Sequence, residues 1–187
     1  MRYCFTLVTA FLFWMSISNA QENQDAAILK ILFSKYYKNE KVIVKNRIQY
    51  LYLYCQKAPN NEETFEVIQK SDLLKKFASE IKKQSANSVS EDWSKEMTFI
   101  FTNQNQYLKS KVNNCISLEE FQKTTLNTDK NYQRLMIVSK PMYFGEKYCL
   151  VKIAFYRNIE HNYGCFLLLE KTNTAWNIKE LLNEWDT

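Results

Sequence analysis

The sequence predicts an α+β fold: a C-terminal four-stranded antiparallel meander packed against N-terminal helices, with one further long strand near residues 41–55. Three observations carry this expectation. Apolar, β-branched and aromatic residues alternate with period two from Met136 onward and again between Lys41 and Cys55. Apolar residues at i, i+3 and i+4 dominate the stretches around Leu29 and from Phe65 to Phe101. Three turn signals in the last third align successive strands so that one face is continuously apolar.

The chain begins with Arg2, then a run from Phe5 to Ile17 that is apolar apart from two Thr and one Ser, then Ser18-Asn19-Ala20. That is the pattern of an export signal cleaved after Ala20. Residues 1–20 are therefore expected to be a signal peptide, and 21–187 a single exported α+β domain, periplasmic or secreted. No later segment is long and apolar enough to span a bilayer.

Asn23 or Asp25 can cap a first helix carrying Ile28, Leu29, Ile31, Leu32, Phe33 and Tyr36. In KVIVKNRIQYLYLYC, Val42, Val44, Ile48, Tyr50, Tyr52 and Tyr54 fall on one side of a strand. Lys45, Arg47, Gln49, Leu51 and Leu53 fall on the other. KAPNNEE breaks the pattern with Pro59 and two Asn. Helical spacing resumes at Phe65 and Ile68 and continues, after a cap at Ser71, through Leu73, Leu74, Phe77 and Ile81. Ser90 is the expected cap of a helix with Trp93, Met97, Ile100 and Phe101. Ser117 and Glu120 have capping-box spacing ahead of a short helix through Phe121.

The meander follows. A turn at Phe144-Gly145-Glu146-Lys147 sets Met142 opposite Cys149, Val138 opposite Ile153 and Met136 opposite Phe155. A loop centred on Glu160 brings Ile153 to Leu167 and Val151 to Leu169. A turn at Thr172-Asn173 places Leu169 beside Trp176 and Leu167 beside Ile178. The resulting apolar face is Val138, Val151, Ile153, Phe155, Leu167, Leu169, Trp176 and Ile178, with helices expected to cover it.

Ser139-Lys140-Pro141, the strand from Cys149, Gly164-Cys165 and Trp176-Asn177-Ile178 together resemble the tail of small exported bacterial proteins of unknown function. The resemblance covers the last third of the chain. It implies export and an α+β fold, and it implies no activity.

Composition narrows the chemistry. Gly145 and Gly164 are the only glycines, so no phosphate loop, dinucleotide fingerprint or nucleophile elbow can be written. The formal net charge of +5 is mild. Lys70, Lys75, Lys76, Lys82 and Lys83 are interspersed with Glu66, Asp72 and Glu80, as on a solvated helix face, so nucleic acid is not an expected partner. His161 has no second histidine and no C-x-x-C nearby, so it reads as an exposed loop residue, and no metal or cofactor is expected. Glu119, Glu120 and Glu160 do not form the paired geometry of acid–base chemistry, and no catalytic set is assigned. Cys149 and Cys165 point to the same face. With Cys165 opposite Phe155 they stand about 20 Å apart, beyond the ~7 Å Cα limit of a disulfide. The remaining arrangements are Cys149 or Cys165 with Cys55 or Cys115, or buried free thiols.

Tyr50, Tyr52 and Tyr54 form a ladder on one face. Its structural reading is a strand packed against the first helix; its functional reading is a surface of flat rings with polar tips that binds a protein, peptide or glycan. The leading expectation is an exported non-enzymatic binding or interaction domain. The alternatives are a hydrolase whose carboxylates meet only in the fold, and a small-ligand carrier with a cavity between sheet and helices. N-terminal sequencing of the exported protein should start at Gln21; a start at Met1 would contradict the signal reading.

Overall fold

A computed structural model describes residues 24–41, 43–44, 46–86, 90–102, 106–125, 132–157, 162–173 and 175–187. The signal segment 1–20, Asn23, Glu160 and His161 lie outside the described residues.

Helix α1 covers 24–36. There follow β1 (Ile43–Val44), β2 (Arg47–Tyr54), α2 (Glu63–Lys70), α3 (Asp72–Lys76), α4 (Ala78–Ala86), α5 (Ser94–Thr102), α6 (Gln106–Lys109), β3 (Val112–Ile116), α7 (Leu118–Thr125), β4 (Tyr132–Val138), β5 (Met142–Phe144), β6 (Tyr148–Tyr156), β7 (Asn162–Thr172) and β8 (Ala175–Asp186). One sheet holds the strands in the order β1-β2-β4-β6-β7-β8, with β3 also on β2 and β5 also on β6. The antiparallel meander is present, its first strand divided into β4 and β5, which share one edge of β6. Strand β2 runs parallel to β3 and β4, so the sheet is mixed.

The long strand expected near 41–55 is present as β2, and the residues just before it fold back as the short strand β1 of a hairpin. Asn46 adopts φ 61°, a conformation Asn tolerates better than most residues. Strand β1 folds back there, with Ile43 opposite Ile48. Beyond the turn, Leu51 and Leu53 enter the core, while Tyr50, Tyr52 and Tyr54 are half-buried on the other face. The tyrosine side is thus not the side packed on α1. Strand β3 carries no alternation and was not foreseen; it is held by its parallel pairing to β2 and by the Cys55–Cys115 disulfide, whose Cα atoms are 4.7 Å apart. That bridge corrects the expected pairings, since Cys149 and Cys165 are both free and buried. It links positions 60 residues apart, a closure that stabilises by about 4 kcal/mol in the chain-entropy account.

Register matches expectation on β4, where Val138 meets Ile153 and Met136 meets Phe155. On β5, Met142 meets Leu150 instead of Cys149. The slip arises at Ser139, whose Oγ accepts the Lys152 N–H at 2.9 Å while its own N–H donates to the Lys152 carbonyl. The side chain takes over a ladder bond, and the strand absorbs one extra residue. Between β6 and β7, and next to the turn between β7 and β8, the pairing differs from expectation by two residues: Ile153 meets Cys165, Val151 meets Leu167, and Leu169 meets Ile178; past an irregularity between Leu168 and Leu169, Leu167 meets Leu181, three residues from the expected Ile178. The second turn pivots on Asn173 (φ 56°) after the Thr172–Ala175 pair. A slip of two keeps every side chain on its face, whereas a slip of one would not. Cys165 now stands four pairs along from Cys149, about 13 Å, still too far to bond.

The predicted apolar face lies in the main core, together with Leu29, Leu32 and Phe33 of α1, Leu51, Leu53 and Trp93. Helices cover the opposite face too. There Met142, Phe144, Leu150, Phe166, Leu168 and Leu182 pack on Val67, Ile68, Leu74 and Ile81 from α2–α4. At Gly164 a Cβ would lie 2.5 Å from the Trp185 ring and 2.8 Å from the Ile153 carbonyl oxygen, so only glycine admits this close approach.

Local chemistry fixes the starts of α7 and α5, whereas Ser71, expected as a cap, precedes α3 without a side-chain capping bond. Ser117 N–H donates to Glu120 at 2.8 Å and Glu120 N–H donates to Ser117 Oγ at 3.1 Å, closing the expected capping box of α7. The cap of α5 is Asp92, not Ser90: its carboxylate accepts the Ser94 N–H at 2.9 Å.

Phe166→Ala should lower stability by about 3–5 kcal/mol, the cost of deleting a buried aromatic. Urea denaturation measures it, and an unchanged midpoint would mean that this face of the sheet is not a core.

Candidate functional site

Two groups of side chains are arranged for contact or chemistry. The first is the ladder on β2. Period two puts Ile48, Tyr50, Tyr52 and Tyr54 on one face, and Ile43 joins them through its pairing with Ile48. The two isoleucines are 62% and 46% exposed. The Tyr50 and Tyr52 rings stack at 6.2 Å with 25° between planes. Phe121 of α7 meets Tyr52 edge-on at 5.9 Å and Tyr156 at 5.8 Å, which fixes the inner end of the strip. Tyr54 Oη donates to Gln56 Oε1 at 3.4 Å. The result is an aromatic floor running outward into two exposed aliphatic side chains.

The second group surrounds Lys57. Beyond β2 the chain stays extended because it is bonded on both sides. Lys57 N–H donates to the Glu91 carbonyl at 2.8 Å, Trp93 N–H to Cys55 at 2.8 Å, and Ala58 N–H to Val138 at 2.9 Å. Alternation then turns Lys57 to the same side as Leu51 and Leu53. Its ammonium meets Asp25 Oδ2 at 2.6 Å, Glu96 Oε1 at 2.8 Å and Glu91 Oε2 at 3.2 Å. The Trp93 ring lies 4.7 Å from Nζ. Tyr143 Oη donates to the other oxygen of Asp25 at 2.6 Å, and Lys140 pairs with Glu91. Lys57, Asp25 and Glu96 side chains are 4%, 6% and 5% exposed.

The electrostatics follow from that packing. Burial alone pushes the Lys57 ammonium down, but the Asp25 carboxylate and the bonds to Asp25 and Glu96 outweigh it, and the net direction is up. Burial, then the nearby Cys149 and Asp25, push the Tyr143 phenol far up, so it stays a donor. Burial pushes Glu91 up, yet the Lys140 and Lys57 contacts bring it below the usual carboxylate range.

Above the cluster opens a crevice of about 310 Å³ lined by Asp25, Asn60, Gln84, Glu91, Lys140 and Tyr143. A smaller one of about 220 Å³ adjoins it past Lys57, Asn60 and Ser85. Gln84 seals one wall by bonding both the N–H and the carbonyl of Tyr143. The buried Oδ1 of Asn60 and Oε2 of Glu96 have no hydrogen-bond partner among the described residues.

The structure does not bring the other sequence candidates together. Glu120 is used in its capping box and Glu119 pairs with Lys123 at 2.6 Å. Among the described residues no group of three or more His, Cys, Asp or Glu could hold a metal ion. None of the described helices is long and apolar enough to cross a membrane. Sequence reasoning missed the Lys57 cluster because its members lie 32 and 39 residues apart. The one available signal was a lysine continuing the buried parity of Leu51 and Leu53. No family model matches the chain, and no match was found among curated proteins or solved structures.

Removing the cation would leave Asp25 and Glu96 buried without it. Lys57→Met should therefore destabilise the protein by about 3–5 kcal/mol. Chemical denaturation tests this; a loss below about 1 kcal/mol, the value of a surface pair, would show that the cluster is solvated.

Proposed function

We propose that the chain is an exported, non-enzymatic binding domain that contacts an extended polypeptide segment through the strip formed by Ile43, Ile48, Tyr50, Tyr52 and Tyr54. The observation that carries this reading is the stacked tyrosine pair running without interruption into two exposed isoleucines. Flat rings with polar tips supply contact area at low entropic cost. The aliphatic end favours a peptide or protein partner over a glycan. Asp25 and Glu96 are almost wholly buried around Lys57, which leaves little room for an outside substrate to reach them as the acid and base of a hydrolase. The larger crevice mixes the charged side chains of Asp25, Glu91 and Lys140 with Pro141 and Met142, unlike the mostly apolar cavity expected of a small-ligand carrier.

Peptides selected from a random displayed library against the folded protein test the reading. Tyr50→Ala should weaken the selected peptides by about 30-fold, a loss of about 2 kcal/mol typical of an interface anchor, with an unchanged circular dichroism spectrum. Equal binding to the variant would place the contact surface elsewhere.

A further inference from the structure

We infer that Lys57 and Asp25 are positioned to join through their side chains in an intramolecular amide bond, with Glu96 as the proton carrier and Tyr143 as the oxyanion donor. The inference is independent of the binding surface on β2 and concerns only the buried cluster.

Each participant of an amine–carboxyl condensation is in place. The nucleophile is Lys57 Nζ, 2.6 Å from Oδ2 of Asp25. The electrophile is Cγ of Asp25, whose Oδ1 already accepts a hydrogen bond from Tyr143 Oη at 2.6 Å. That donor points at the oxygen on which negative charge develops when nitrogen attacks. A second carboxylate, Glu96, touches the same Nζ at 2.8 Å, and its other oxygen has no hydrogen-bond partner among the described residues. The three side chains are at least nine-tenths buried, and Trp93 packs over the ammonium.

The balance is that of an ammonium and a carboxylate giving an amide and one water. A proton crosses from Nζ to Oδ2 of Asp25, leaving a neutral amine beside a neutral acid. A dry environment lowers the cost of that pair relative to two ions. The nitrogen lone pair attacks Cγ, and the Tyr143 hydroxyl holds the negative Oδ1. Glu96 takes the extra proton from the nitrogen and passes it to Oδ2. The Cγ–Oδ2 bond breaks, water leaves, Oδ1 becomes the amide carbonyl, and Glu96 returns to its starting charge. The crevice that Asp25 lines gives the water an exit. No oxidant, cofactor or outside reactant is consumed. The surrounding carboxylates hold Lys57 as an ammonium at equilibrium, so the neutral pair is a minor form reached within the hydrogen bond. One turnover per molecule needs no more, because the amine and the acid are held side by side in one folded chain and need no encounter.

The product would tie α1 covalently to the segment that follows β2. Full-length folded protein, incubated and then reduced, alkylated and digested, tests this by peptide mass mapping. The expected result is one branched peptide holding Lys57 and Asp25, lighter by one water than its two parts. Glu96→Gln keeps the size and shape of the carrier and removes its basicity. That variant should fold with the same circular dichroism spectrum and yield the two peptides separately at full mass. Unlinked peptides from the wild-type protein after prolonged incubation would overturn the inference. Linkage in Glu96→Gln equal to wild type would overturn the role given to Glu96.

Discussion

Strand β7 buries six consecutive residues, Gly164–Leu169, so neither of its faces meets water along that length. Its neighbour β6 buries Cys149, Leu150, Val151, Ile153 and Phe155 beside it. A strand covered on both sides needs a layer of helix on each, and the chain must supply two layers from the sequence that precedes the meander. It does so by crossing the sheet edge. Helix α1 and the Trp93–α5 region go to one face, and α2–α4 go to the other. The Gly164–Trp185 contact is a local result of the same crowding.

Helix α1 depends on that arrangement for its placement. Its apolar side rests on the sheet, and a buried cation meets each end. Near the start, Asp25 is bonded to Lys57. Just past the end, Glu40 is bonded to Arg134 at 2.7 Å. Arg134 is buried against aromatic rings, 4.2 Å from Phe155 and 5.1 Å from Tyr163, and burial lowers its basicity. Both cations sit on strand-like segments of the sheet, so the two ion pairs fix the rotation and axial position of the helix. Such pairs add little net stability compared with apolar packing, but breaking either one strands a charge. Their contribution is to alignment, and the crevice that Asp25 and Glu91 line lies at the Lys57 end.

Much of the fold is legible in the sequence wherever information is local. Period two in the last third, the capping box at Ser117 and the helical spacing from Phe65 to Ile81 each depend on residues a few positions apart. The apolar face survived a two-residue error in register because alternation determines face and not pairing. What was not legible depends on distance. Ser139 exchanging a ladder bond between backbone and side chain, Cys55 finding Cys115, and β3 joining β2 all require tertiary neighbours. The second core was signalled by the unbroken run Cys165–Leu169, which an expectation of one-sided alternation passed over. At the candidate sites, the tyrosine ladder was visible as a pattern, but its outward direction was not. Leu51 and Leu53 won the core because they pack without a hydroxyl to satisfy. Lys57 lies in a segment that reads as a plain break, and nothing local shows that three carboxylates converge on it.

The claim that two-sided burial of β6 and β7 organises the molecule has a direct test in native-state hydrogen exchange. The amides of Val151–Phe155 and Cys165–Leu169 should exchange only through global unfolding, with an opening free energy equal to that from denaturation. Strands β1 and β3 and the outer half of β8 should open at lower cost. Exchange at β7 as fast as at β1 or β3 would contradict the account.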